Sequence, residues 1–372
     1  MEVAVSRVLI LNAGSSSLKW SVLDARSERV EDGGAISWQD ADPNRHDEEV
    51  RRTLSALPRV DAVGHRVVHG GPNFTEAVLV DDSVRAAIAE LAKLAPLHNR
   101  AALAGIAAVT ASWPTTPQVA AFDTAFHRTI PETAALYPVP WEWTQRWGLR
   151  RFGFHGLSVM YAVRRAGELL GTVPRRMVVC HLGAGCSLTA VASGRSIDTS
   201  MGFTPLEGVM MATRSGSVDP SLPLFLQTRG GLTAAEIDEG LNDRSGLLGV
   251  SGVSADLRAV LAAGSAQATL AYDMFIHGIV RMAGGLAAVL GGLDALLFTG
   301  GIGEHSAPVR RDVAKALTFT GLTLDDAANN AAQGDVNVAA QGSEVAVLVV
   351  TAREDLAILG EMRRLLPSLG HD

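Results

Sequence analysis

The sequence predicts an α/β protein made of two duplicated domains, and three observations lead there. The stretch Val8 to Val22, VLILNAGSSSLKWSV, recurs in kind at Val178 to Val191, VVCHLGAGCSLTAV: an apolar β-branched run, a turn of Gly, Ala and Ser, and a second strand. Laid together, the two match at Ser17 with Ser187 and at Leu18 with Leu188. Each copy is followed by helical patterns and then by a strand that ends on a polar residue or a glycine turn. Finally, 372 residues exceed one ordinary core, and 38 glycines in a chain that is 47% hydrophobic suit alternating strands and helices with tight turns.

A turn built of Gly and Ser leaves its backbone N–H groups uncovered, so it can wrap a polyphosphate. Taken singly, either turn is equally a plain hairpin tip. Their recurrence, with Lys19 just past the first, favours a nucleotide held by both. Further along, Asp24 to Pro58 has the scattered charge of a short strand and one amphipathic helix, and the valines of Asp61 to His69 make a strand. Val84, Ile88, Leu91 and Leu94 sit at helical spacing, which predicts a helix over Asp82 to Leu94. Asn99 is suited to cap a helix over Arg100 to Ser112. Gln118 to Phe122 reads as a buried strand that delivers Asp123 at its C-terminal end, where open α/β sheets place ligands; a helix-capping Asp is the alternative. In the second half, a long loop over Asp198 to Pro220 precedes a helix over Leu232 to Leu241 opened by Thr233. A long helix over Gln267 to Leu290 leads to a strand over Asp294 to Thr299, the glycine turn Gly300 to Gly303, and a closing helix over Glu354 to Leu366. No Pro- or Ser-rich linker divides the halves, so they are expected to pack with a cleft between them.

A net charge of −7 argues against nucleic acid and anionic membranes as partners. An anionic substrate would then need Arg, Lys or a metal placed locally. The two cysteines, Cys180 and Cys186, have neither disulfide-framework nor zinc spacing and fit a reducing compartment as packed residues, with redox sensitivity the lesser reading. The N-terminus shows no basic n-region before an apolar stretch, so no signal peptide is expected. Met282 to Phe298 is interrupted by Gly284, Gly285, Gly291, Gly292 and Asp294, which reads as a helix and a strand rather than a membrane span. A cytoplasmic protein is the expectation.

Nine segments then line up in order: NAGSSSLK at Asn12 to Lys19, HRVVHGG at His65 to Gly71, APLHN at Ala95 to Asn99, AFDTAFH at Ala121 to His127, FGFHG at Phe152 to Gly156, HLGAG at His181 to Gly185, DTSMGFTPLEG at Asp198 to Gly208, TRSG at Thr213 to Gly216, and FTGGIGE at Phe298 to Glu304. On these motifs the sequence resembles the acetokinase family, within the superfamily of actin-like, hexokinase-like and Hsp70-like ATPases. The resemblance implies two duplicated actin-like (ribonuclease H-like) domains with a central cleft, residues 1–124 plus 356–372 and residues 125–355. It further implies reversible, Mg²⁺-dependent transfer of the γ-phosphoryl group of ATP to acetate, giving acetyl phosphate and ADP, with Mn²⁺ able to replace Mg²⁺, in a homodimer.

Phosphoryl transfer to a carboxylate needs in-line placement and neutralisation of charge on three equatorial oxygens. A simple carboxylic acid, with a pKa of ~4 to 5, is already ionised at neutral pH, so no general base is required. Asp123 is therefore read as an organiser of Mg²⁺ or its water. The planar cations Arg66 and Arg214 suit carboxylate and phosphoryl oxygens. By resemblance, Arg66 engages the acid, Arg214 and His155 stabilise the transferring group, and His98 belongs to the same polar cluster. Lys19, Asn12, Ser15 and Ser17 fall near the ATP phosphates and metal, with Glu354 the magnesium-binding glutamate and Asn12 beside it. The loop His181, Leu182, Gly183, Ala184, Gly185 holds phosphate. Asp256, Leu257 and Arg258, with Gly300, Gly301, Ile302, Gly303 and Glu304, take the adenosine. Val68, Leu97, Phe154 and Pro205 form a small apolar pocket for the alkyl group of the acid. Excluding a longer acid by one methylene is worth only ~1 to 3 kcal/mol, so propionate is expected as a weaker substrate.

Propionate or butyrate kinase is the nearest rival, since only pocket volume separates the three. A non-catalytic ATP-driven switch on the same fold is another, but it needs an extra substrate-binding or polymer-forming segment that the sequence does not display. The chain also departs from the family pattern. It has Ala184 for Asn, Leu157 and Val159 for Thr and His, Arg100 for Pro, His305 for Asn, and Ala352 and Arg353 beside Glu354, and it is shorter between Asp24 and Asp61. None of these departures falls on Arg66, Asp123, His155 or Arg214 themselves.

Overall fold

The computed structural model describes residues 7–14, 17–37, 43–91 and 96–369. The chain divides into two compact units, residues 1–128, 156–161 and 353–372 in the first and residues 129–155 and 162–352 in the second.

The first unit is built on a six-stranded sheet. Strands β1 (Arg7–Ala13), β2 (Ser17–Asp24) and β3 (Val30–Ser37) form an antiparallel meander. β4 (Ala62–Val67) and β6 (Gln118–Phe122) then run parallel to β1, and the two-residue β5 (Val78–Leu79) closes the edge antiparallel to β6. The order is β3-β2-β1-β4-β6-β5. The parallel strands are largely buried on both faces, as parallel strands must be.

Helices α1 (Pro43–Ala56), α2 (Asp82–Leu91) and α3 (Pro96–Ser112) serve one face, where Leu9, Leu11, Val63, Ile88, Ile106 and Val109 share a core. On the other face lies the closing helix α8 (Glu354–Leu365), whose Ile358, Leu359 and Met362 are buried. Gly64 permits that approach: a Cβ there would sit 2.5 Å from Ile358 Cγ2 and 2.6 Å from Met362 Sδ.

The second unit repeats the plan. β7 (Arg176–Leu182), β8 (Cys186–Ala192) and β9 (Arg195–Thr199) make the meander, and β10 (Ala295–Thr299) and β12 (Ala346–Val349) run parallel to β7. The two-residue β11 (Val336–Asn337) lies antiparallel at the edge, giving the order β11-β12-β10-β7-β8-β9. The correspondence reaches detail, because each meander has a register shift between its second and third strands, at Val22/Leu23 and at Ala190/Val191. The duplication anticipated from the two hairpins is therefore a duplication of whole sheets. Helix α4 (Gly156–Leu170) precedes β7. Helices α5 (Leu257–Ala262), α6 (Ala266–Val289) and α7 (Gly300–His305) lie further along. On α6, Ala268, Ala271, Phe275, Ile279, Ala283 and Leu286 are buried at helical spacing.

Two local expectations are corrected. Asn99 does not cap α3, which starts at Pro96; its side chain instead accepts from His69 N at 3.1 Å and donates to His69 O at 3.0 Å. A tertiary amide lock has overridden the local capping preference. The glycines from Gly300 onward, expected as a turn, open the short helix α7, with only Gly300 in the left-handed region at φ +77°. Among the described residues no helix is long and apolar enough to cross a membrane. Thr233 does open its helix, Ala234–Asp243, through a reciprocal capping box with Glu236.

Candidate active site

In the first unit, the C-terminal ends of three adjacent parallel strands deliver Asn12, Arg66 and Asp123. Asn12 and Arg66 are partners in register, as are Arg66 and Ala121, two residues before Asp123. The N-terminus of α8 adds Glu354. Arg66 is the hub. Its Nη2 donates to Asp123 Oδ2 at 2.7 Å, its Nε faces Glu354 Oε2 at 3.6 Å, and its Nη1 makes long contacts with Asn12 Oδ1 (3.4 Å) and Ala13 O (3.3 Å). Asn12 Nδ2 completes the ring with a 2.6 Å bond to Glu354 Oε2. Burial works against the charge on Arg66, but the carboxylates of Asp123 and Glu354 outweigh it and raise the guanidinium pKa above its ordinary value.

Asp123 is fully enclosed. Its second oxygen, Oδ1, accepts from Leu157 N at 3.4 Å in the first turn of α4, so the helix-capping role weighed for it is present at long range alongside the ion pair. Its backbone carbonyl accepts from Gly156 N at 2.8 Å, and a Cβ at Gly156 would collide with that oxygen. Behind the cluster, His65 Nε2 bonds Gln118 Oε1 at 2.8 Å. Burial pushes the His65 pKa down to about 4, so this imidazole is neutral and structural.

Two carboxylates and an amide against one guanidinium leave a net charge of −1 and hard oxygen donors, a set that fits Mg²⁺. Among the described residues no three His, Cys, Asp or Glu cluster tightly enough to hold a metal by themselves. An ion held here would keep several waters, as Mg²⁺ characteristically does. The unusual Arg353 does not intrude, because its guanidinium is turned to Asp355 at 2.9 Å. Lys19 is exposed on β2, opposite Asn12 in register. Ser17 O accepts from Gly14 N at 2.8 Å, closing the turn. Val68 is buried. Ser15 and the side chains of Leu97 and His98 lie outside the described residues.

In the second unit, His155, His181 and Arg214 converge on the turn between β7 and β8. His155 has left-handed backbone angles (φ +57°, ψ +24°), uncommon for a residue with a side chain and a frequent mark of functional sites. Its ring stacks on His181, with centroids 4.0 Å apart and planes 25° apart, and its Nδ1 lies 3.0 Å from Ser187 Oγ. That contact engages one ring nitrogen, and the other, Nε2, lies on the side of the turn. A Cβ on Gly185 would stand 3.3 Å from His155 Nε2 and 3.4 Å from Arg214 Nη1.

The Arg214 guanidinium bonds Pro205 O at 3.1 Å and touches Met211 Sδ at 3.8 Å, and no carboxylate lies within 4 Å of it among the described residues. Burial lowers its pKa. Ala184, in place of the usual Asn, is exposed and uses its carbonyl to accept from Ala212 N at 3.2 Å.

Because β7 and β10 are parallel neighbours, the turn over His181 to Gly185 lies beside the start of α7. A Cβ at Gly300 would stand 2.7 Å from Leu182 O, and one at Gly183 would stand 3.9 Å from Gly301 N. Glu304 Oε1 accepts from Ala352 N at 3.0 Å, a structural use of that carboxylate. Ile302 is half-buried and Gly303 is buried against β10. Asp256 caps α5 by accepting from Arg258 N at 2.9 Å and pairs with its guanidinium at 2.7 Å, while Leu257 is buried. No hydrogen bond or ion pair ties these three to the turns at 181–185 and 300–304 among the described residues. Phe154 is buried next to His155. Ser187 was missed as a site residue, although the alignment of the two hairpins had marked it. Both cysteines are buried, and burial pushes the Cys186 thiol up to about 12, consistent with inert packed residues.

The profile of the acetokinase family matches residues 44–360. The chain is 52% identical over 312 residues to an acetate kinase of Synechocystis sp., a match covering 82% of this chain and 75% of that relative. It is 44% identical over 390 residues to an acetate kinase of Acaryochloris marina, covering 95% and 98%. Among solved structures, the acetate kinase of Porphyromonas gingivalis superposes with a TM-score of 0.89 at 37% identity, covering 97% of this chain and all of that one. A propionate kinase from Francisella tularensis gives 0.87 at 35%, covering 96% and 98%. The chain belongs to the acetokinase family.

Proposed function

We propose that this protein is an acetate kinase, moving the γ-phosphoryl group of ATP to acetate to give acetyl phosphate and ADP, and running in reverse. The observation that carries the reading is Arg214. It is a partly buried guanidinium with no carboxylate within 4 Å among the described residues, next to an imidazole and a glycine turn, an arrangement that asks for an incoming anion. Acetate kinases among its relatives support the acceptor.

The nucleophile arrives ionised, so the chain has no proton to remove. Both oxygens of Asp123 are engaged, by Arg66 and by Leu157 N, which suits an orienting role and not a basic one. Arg66 is held by Asp123, and its Nη1, with only long contacts, is the donor that an acetate oxygen can take over. Asn12, Asp123 and Glu354 would hold Mg²⁺, which when bound draws charge from the phosphate oxygens. His155 Nε2 and Arg214 then offer donors to the oxygens on which charge spreads during transfer. Lys19, Ser15, Ser17 and the turn at His181 to Gly185 are assigned to the phosphates, and Asp256 to Arg258 with Gly300 to Glu304 to adenosine. Val68, Leu97, Phe154 and Pro205, with His98, are assigned to the acid. The protein is further proposed to act as a homodimer in the cytoplasm, with Mn²⁺ able to replace Mg²⁺.

Release of ADP, followed with acetate, propionate and butyrate in turn, tests the reading. Acetate is expected to give the highest kcat/KM, with propionate within about 200-fold, the span that one methylene can produce. Butyrate as the best of the three would reassign the substrate.

A further inference from the structure

We propose that Glu207 is a positioning residue for Arg214, acting through a clamp that it forms with Tyr137 and Arg151; the inference rests on the role given to Arg214 above. The loop at 202–207 carries, at Pro205, the carbonyl that receives Arg214 Nη1. A carbonyl steers a guanidinium only if the loop bearing it is itself fixed, and three side chains fix this one.

Tyr137 Oη donates to Glu207 Oε2 and accepts from Phe203 N at 2.8 Å. Arg151 Nη2 donates to Glu207 Oε1 at 2.7 Å, its Nη1 reaches Ser200 O at 3.1 Å, and its guanidinium lies 5.6 Å from the centre of the Tyr137 ring. Gly202 O accepts from Phe152 N at 3.0 Å, and a Cβ on Gly202 would collide with both Glu207 Oε2 and Tyr137 Oη. Burial, and then the hydrogen bond to Glu207, raise the pKa of the Tyr137 phenol, so it remains a donor.

Among the described residues, none of the three clamp residues hydrogen-bonds Arg214. What they hold is its anchor. Among the described residues, apart from Pro205 O, the guanidinium has only the thioether of Met211 at 3.8 Å. With no carboxylate within 4 Å among the described residues to orient it, Arg214 takes its direction from the loop, and the loop takes its position from Glu207.

The test is a double-mutant cycle on the full-length enzyme with saturating ATP, Mg²⁺ and acetate. Glu207→Gln and Tyr137→Phe are each expected to lower kcat roughly tenfold, the equivalent of one well-made hydrogen bond, while both KM values stay within about twofold. Tyr137→Phe keeps the ring packing and serves if Glu207→Gln does not fold. In an Arg214→Ala background the further loss from Tyr137→Phe or Glu207→Gln is expected to shrink below about twofold, because the group being steered is gone. The same tenfold factor carried intact into that background would overturn the coupling alone, and wild-type kcat in both single variants would overturn it too. An Arg214→Ala enzyme as fast as wild type would overturn both this proposal and the role of Arg214 on which it rests.

Discussion

Arg66 Nη2 donates a 2.7 Å hydrogen bond to Asp123 Oδ2, and the same guanidinium faces Glu354 Oε2 at 3.6 Å. One cation thus stands between two acids that come from distant parts of the sequence, and it neutralises only one of them. That surplus of negative charge is what a divalent ion would offset.

Removing the cation should have two separable effects. Arg66→Ala leaves Asp123 buried without its partner, expected to cost roughly 3 kcal/mol by denaturant unfolding. In whatever fraction remains folded, acetate KM should rise at least about tenfold with ATP KM little changed. An unaltered acetate KM would remove Arg66 from the acid site.

Gly64 sets the seat of Glu354. A methyl group at 64 would press on Ile358 and Met362, so Gly64→Ala should push α8 outward at a cost of about 1 to 3 kcal/mol. The Mg²⁺ concentration for half-maximal activity should rise, because Glu354 starts that helix. Unchanged Mg²⁺ dependence would show that Glu354 is not a metal ligand.

Arg214→Ala should lower kcat by roughly 10³-fold or more, the range seen when a guanidinium that stabilises a phosphoryl transition state is lost, with both KM values nearly constant. Gly185→Ala, which presses a methyl group against both His155 and Arg214, should lower kcat less and leave the fold intact. Both are read from steady-state kinetics.

His65 gives the protein an acid-sensitive element. Its pKa is near 6.5 in the unfolded chain and about 4 when buried against Gln118. Between those values the unfolded state binds the proton and the native state does not. The contribution is therefore whole above pH 6.5, declines as pH falls, and is gone below about 4, a change of about 3 kcal/mol. His65→Gln should lose less stability than wild type over that window in denaturant melts at matched pH; parallel curves would contradict the burial argument.

Much of the frame could be read from residues alone. Strands β1, β6, β7 and β10 are largely apolar runs, and the last helix begins at Glu354 as its pattern indicates. What escaped depends on contacts distant in sequence. Asn99 looks like a cap until its amide is seen gripping the backbone of His69, thirty positions away. The Tyr137–Glu207–Arg151 clamp joins residues 70 and 56 positions apart, a spacing no local pattern encodes. β5 and β11, two residues each, are too short for any periodicity to reveal. The left-handed turn at His155 is equally silent, since nothing in the letters FGFHG reports a backbone angle.

The most direct measurement incubates the protein with ATP, Mg²⁺ and acetate in the presence of hydroxylamine and quantifies acetyl hydroxamate. Hydroxamate is expected in step with ADP, dependent on all three reactants and reduced roughly 10³-fold in Arg214→Ala. ATP turnover with no hydroxamate, or hydroxamate formed equally well by Arg214→Ala, would contradict that expectation.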